Sequence, residues 1–155
     1  MRCKVASKAD LVAFGPHGGP ALVVEVKSVR KADAAWAAKM RRNLAVHGGL
    51  FPARFFLLAL PDRFYLWKDN VDSTDEVAPA YAIDPTELLR PYFEKAGLSP
   101  ETVSSQAFEL LVANWLDNLL EQEPTDASQR AGQWVTESGL LDQLKGGRIE
   151  YEVSP

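Results

Sequence analysis

The sequence predicts an α/β fold, in which a small mixed β-sheet laid down by the first 68 residues is followed by a helical C-terminal region. Two observations decide it. Four segments rich in apolar, β-branched or aromatic residues, at 10–14, 21–29, 54–60 and 63–68, surround one stretch of helical periodicity. From residue 84 onward the apolar residues recur mostly at helical spacing instead.

In chain order, Arg2 to Ala6 reads as a short strand, Asp10 to Phe14 as a second and Ala21 to Val29 as a third. Gly15-Pro16-His17-Gly18-Gly19-Pro20 places three glycines and two prolines in six residues, a turn that should fold the last two strands into an antiparallel hairpin. Ala32 to Val46 is helical, with Trp36, Met40 and Leu44 on one face and Gly48-Gly49 as its stop. Arg54 to Leu60 is a buried strand, Pro61-Asp62 a turn, and Arg63 to Lys68 the returning strand. Asp69 to Glu76 holds four acids in eight residues and reads as surface loop. Asp84-Pro85-Thr86-Glu87 opens a helix by N-cap, first-turn proline and capping glutamate, and Gly97 closes it. Ser99-Pro100-Glu101 opens the next, whose stripe runs through Val103, Phe108, Leu111, Val112, Trp115, Leu116, Leu119 and Leu120. A further helix from about Asp126 to Leu144 breaks at Gly139, and Arg148 to Val153 is a last strand. The expected organisation is a core over 1–68, an acidic linker or loop over 69–83 and a helical region over 84–155, packed into one domain.

Of the 155 residues 46% are hydrophobic and 25% charged, the balance of a globular chain and not of a disordered or fibrous one. Folding at this length buries roughly 70% of the unfolded surface, so no disulfide or structural metal is required. The single cysteine, Cys3, has no internal partner, which suits a reducing cytoplasm and a bystander thiol. The longest apolar run, Phe55 to Pro61, is too short to cross a bilayer, and Arg2, Lys4 and Lys8 precede no apolar signal core; a cytoplasmic chain without a membrane partner is expected. Residues 1–68 carry twelve Lys/Arg against four Asp/Glu, and residues 69–155 five against seventeen, so net charges of +8 and −12 hide behind the total of −4. The basic half is either the footprint of a polyanion or a merely solvated surface.

The chemistry-bearing pattern is Asp10 at the head of one strand and Glu25-Val26-Lys27 late in the next. Alternation puts Glu25 and Lys27 on one face, and the hairpin brings Asp10 beside them. Two carboxylates and an ammonium suit phosphodiester hydrolysis: the acids hold Mg²⁺ or Mn²⁺, and the lysine orients the attacking water and stabilises the developing charge. A Glu-x-Lys triplet is common, and the competing reading is an ion pair on a solvated strand. Charges set in Val/Leu-rich strands nevertheless demand pairing, which singles these three out.

With Ala9-Asp10 before Leu-Val-Ala-Phe, the Val-Val-Glu25-Val-Lys27-Ser strand, the helix after it and the Phe-Phe-Leu-Leu-Ala-Leu-Pro-Asp-Arg-Phe-Tyr-Leu-Trp segment, residues 9–68 resemble the PD-(D/E)xK nuclease superfamily. The resemblance implies a sheet of restriction-endonuclease-like type, Asp10 and Glu25 as metal ligands, Lys27 as the catalytic lysine, and nucleic acid as substrate, DNA in preference to RNA. Ala9 stands where the motif has proline, and Lys39, Met40 and Arg41 occupy the helical region where many members place a glutamine. Members also carry a helix and a strand ahead of the aspartate, often with a further acid on that helix. Only nine residues precede Asp10, so either further residues come before these or the C-terminal half supplies a substitute. The alternative function is a catalytically inactive module that binds nucleic acid or, through its acidic C-terminal half, a protein partner or second copy. Arg30, Lys31, Lys39, Arg41 and Arg42 are the expected nucleic-acid contacts, with Lys31, Lys39 and Arg42 sharing a helix face opposite Trp36 and Met40. His17 and His47 are expected to be neutral or structural, and Trp36, Trp67, Trp115 and Trp134 to be core.

Overall fold

Phe55–Leu60 is apolar at every position, so the strand it forms must be covered on both faces. A computed structural model, which describes residues 9–46, 53–68, 75–121 and 133–153, shows how this is done. The strands are β1 (Ala9–Phe14), β2 (Pro20–Val26), β3 (Phe55–Leu60), β4 (Arg63–Trp67), β5 (Tyr81–Ile83) and β6 (Arg148–Val153). They form one six-stranded mixed sheet in the order β5-β4-β3-β2-β1-β6. Helix α1 (Ala34–Val46) is the crossover that makes β2 and β3 parallel, while the other described pairs are antiparallel. Strands β2 and β3 lie at the centre and are buried on both faces.

One face carries Val12, Val23, Phe56, Leu58, Leu60, Tyr65 and Trp67 against α1. The other carries Leu11, Leu22, Val24, Leu57, Phe64 and Leu66 against α2 (Thr86–Ala96), α3 (Ser105–Glu121), α4 (Trp134–Glu137) and α5 (Leu140–Leu144). The expected hairpin, its returning strand pair and the last strand are all present, and Gly97 ends α2 in the left-handed conformation at φ 70°. Among the described residues no helix is long and apolar enough to cross a membrane.

Several expectations are corrected. The sheet draws β5 and β6 from beyond residue 68, so the C-terminal region completes the sheet and does not only pack on it. Helix α3 begins at Ser105, not at Ser99, because Ser104 caps it by accepting the Ala107 amide at 3.1 Å. Pro85, not Asp84, takes the N-cap position of α2, without a side-chain cap; Asp84 accepts the Thr86 amide at 3.0 Å from outside the helix, and Glu87 pairs with Arg90 at 2.7 Å instead of closing a capping box. In α1 the fully buried positions are Ala37, Ala38, Arg41 and Ala45, while Trp36, Met40 and Leu44 are half-buried flanks. Small alanines let the helix backbone sit close to the sheet, and the longer side chains fill its margins. The strand at Arg2–Ala6, the Gly48-Gly49 stop and most of the acidic stretch lie outside the described residues.

The seam between β1 and β6 is closed by Gly147. A methyl group there would stand 1.8 Å from the Phe14 carbonyl oxygen, so only glycine permits this approach. Arg148 then lays its guanidinium over the Phe14 ring at 4.6 Å. Gly147→Ala is expected to lower unfolding free energy by about 1–3 kcal/mol in urea titration. Gly19→Ala, where a methyl meets nothing within 4 Å, should leave it within about 0.5 kcal/mol.

Candidate active site

The strand register places the sequence pattern in space. Leu11 pairs with Val24, so one step further Asp10 stands opposite Glu25, and both belong to the face that carries Val12 and Val23. Strand β2 ends at Val26, but the Lys27 amide still donates to the Ala59 carbonyl at 3.1 Å, which keeps the backbone extended one residue longer. Alternation then returns Lys27 to the side of Glu25. Asp10 Oδ2 accepts the Val26 amide at 2.8 Å, so the carboxylate is fastened across the strand pair.

Glu25 is 6% exposed, and its pKa is pushed up from 4.5 to about 7. Burial is the largest cause, followed by repulsion from the Asp10 carboxylate; attraction to Lys27 and a hydrogen bond from the Asp10 backbone act the other way. The Glu25 carboxyl therefore lies within electrostatic reach of both Asp10 and Lys27. A third carboxylate that sequence reasoning missed, Glu109 on α3, adds a smaller repulsion to Glu25. It is brought there by the start of α3, where the Ser105 and Ser28 hydroxyls hydrogen-bond at 2.9 Å, seventy-seven residues apart in the chain. Glu109 follows Ser105 by one helical turn, and nothing in its local sequence marks the long-range contact.

The expected nucleic-acid residues divide. Arg30, Lys31, Lys39 and Arg42 are exposed. Arg41 is 2% exposed on the sheet-facing side of α1, so it is removed from the surface set; burial also lowers the pKa of its guanidinium. Lys31 precedes α1 and does not share its face with Lys39 and Arg42, because Asp33 caps the helix first, accepting the Trp36 amide at 2.8 Å. His17 is exposed in the turn at the opposite end of the hairpin from Asp10, and His47 lies outside the described residues. Trp67, Trp115 and Trp134 are buried and Trp36 is half-buried against the α1-side core.

Among the described residues no three or more His, Cys, Asp or Glu side chains are grouped to hold a metal ion. What the site offers is the facing pair Asp10 and Glu25. Comparison with models of protein families, with curated proteins and with solved structures finds no match for the chain.

The raised pKa of Glu25 makes stability depend on pH. The folded chain holds this proton more tightly than the unfolded chain, so the contribution is complete below about pH 4.5 and is lost as pH rises through about 7. Its full size is about 3 kcal/mol. In metal-free buffer, urea unfolding of the native chain should show less stability at pH 8 than at pH 5, and Glu25→Gln should remove most of that difference. A pH dependence identical in both proteins would exclude Glu25 as its source.

Proposed function

We propose that this chain is a metal-dependent nuclease of restriction-endonuclease-like fold that hydrolyses phosphodiester bonds of nucleic acid, DNA in preference to RNA. The observation that carries the reading is the convergence of Asp10, Glu25 and Lys27 at one end of the β1–β2 pair, with Asp10 and Lys27 both acting on the Glu25 carboxyl. The resemblance of residues 9–68 to the PD-(D/E)xK superfamily supports it.

The donor set fits a hard divalent cation. Two carboxylates share one site, and burial, with repulsion from Asp10 added to it, leaves Glu25 protonating near neutrality; a cation in place of that proton would relieve the repulsion. Asp10 and Glu25 would hold Mg²⁺ or Mn²⁺, which when bound supplies charge neutralisation for the phosphate and a lowered pKa for the attacking water. Asp10 presents one oxygen from a carboxylate already fixed by the Val26 amide. Lys27 positions the attacking water and stabilises negative charge building on the phosphate oxygens. Arg30, Lys39 and Arg42 contact flanking phosphates without reading sequence.

Cleavage is tested by nicking of supercoiled DNA, and in parallel of RNA, with Mg²⁺ or Mn²⁺. Asp10→Ala should abolish both Mn²⁺ binding and cleavage. Lys27→Ala should bind Mn²⁺ nearly as the native chain does yet cleave on the order of 100-fold more slowly. Melting temperatures of both variants check that they fold. If the native chain cleaves neither substrate, the active-enzyme reading fails and the inactive binding module replaces it.

A further inference from the structure

The link between β2 and α1 carries Arg30 and Lys31, and it is fastened along most of its length. The Ser28 hydroxyl meets Ser105 at 2.9 Å, the Lys31 amide donates to Asp62 Oδ2 at 2.9 Å, the Tyr65 hydroxyl donates to the Ala32 carbonyl at 2.7 Å, and Asp33 caps α1. The partners come from α3, from the β3–β4 turn and from β4.

Two unfavourable features meet at one of these bonds. Lys31 has φ 65°, and among the described residues it is the one non-glycine with positive φ, a conformation that glycine adopts at less expense. Asp62, which holds it there, keeps its other carboxylate oxygen buried without a hydrogen-bond partner among the described residues. Strain of this kind persists where surrounding structure enforces it and is concentrated at functional positions. The Lys31 side chain is exposed, and among the described residues its ammonium forms no salt bridge, although Asp62 is adjacent. Asp62 binds the backbone of Lys31 and leaves the charge free to act outward. Arg30 is less independent: it faces Glu101, whose carboxyl is held low mainly by the Ser99 hydroxyl and, to a smaller extent, by Arg30.

We infer that Asp62 is a positioning residue that holds Lys31 in its left-handed conformation so that the Lys31 ammonium contacts a backbone phosphate of the nucleic acid beside the Asp10–Glu25–Lys27 site. The inference rests on the nuclease reading. It adds to that reading a residue, Asp62, that touches no substrate and acts through the link.

The test is binding of the full chain to a labelled DNA duplex and to a matching RNA, in chelator to prevent turnover, across a salt series. Lys31→Gly should melt at or above the native temperature, since it relieves the strained φ, yet bind on the order of five- to tenfold more weakly at 0.1 M salt with a salt slope reduced by about one unit. Asp62→Ala should lose the same contact and show the same reduced slope. Asp62→Asn retains a carbonyl oxygen for the Lys31 amide and should restore most of the affinity. The double variant Lys31→Gly/Asp62→Ala should bind no more weakly than Lys31→Gly, because both changes remove one contact. If Asp62 were only a repulsive charge near the nucleic acid, Asn and Ala would both tighten binding, and that result overturns the inference. Native affinity and slope in Lys31→Gly overturns it as well while leaving the nuclease reading standing; a native chain that binds neither nucleic acid overturns both.

Discussion

The burial of Glu25 at the end of the central strand is the constraint around which the site is arranged. A carboxylate taken out of water is expensive to ionise, and a second carboxylate opposite it on β1 makes ionisation costlier still. The protein offsets this only in part, through Lys27 and the Asp10 amide, so the carboxyl is left near pKa 7. A purely structural strand would place valine there, as the rest of β2 does at Val23, Val24 and Val26. Retaining two facing acids in the most apolar part of the sheet makes sense if a cation enters between them, because the repulsion that destabilises the metal-free site becomes attraction in the filled one. The same fact sets the relation between stability and function. On the proposed reading, mutations that relax the burial of Glu25 would change both its pKa and its hold on a cation.

The C-terminal half completes the sheet around that strand pair. Without β6, strand β1 would be an edge, and Asp10 would sit on a strand free to twist away. Gly147 allows β6 to approach β1, and Arg148 closes over Phe14 at the same end. On the other face α3 seals the sheet through Phe108, Leu111, Val112 and Trp115, and its first turn reaches the end of β2 through Ser105. The chain thus uses its last strand and its longest described helix to complete a site whose named residues lie within the first 27 positions.

Local order was legible in the sequence, and long-range adjacency was not. The Gly/Pro turn and the unbroken apolar run at 55–60 each depend on neighbours within a few residues, and each is realised. Arg41 was misplaced because an arginine reads as a surface residue; only the packing of α1 by alanines, which draws that face against the sheet, turns it inward. Helix α3 was begun too early because Ser99 and Ser104 are both competent caps, and local chemistry does not choose between them. Glu109 and Asp62 were missed for a different reason. Each acts on a residue thirty or more positions away, Glu109 on Glu25 and Asp62 on Lys31, and no periodicity carries such a pairing.

The charge asymmetry of the sequence has a spatial meaning at this site. Of the described cations, Lys27, Arg30, Lys31, Lys39 and Arg42 lie on the end of β2, on the link after it and on α1, while Arg148 lies on β6. The carboxylates Glu109 and Asp117 lie on α3, close enough to Tyr151 of β6 that, after burial, they add to the rise in its pKa. Of these, Glu109 acts on the Glu25 carboxyl by a small repulsion. On the proposed reading this polarity orients the substrate: a phosphodiester backbone is attracted along the link and α1 and repelled by α3 and β6, so it crosses the site from one side.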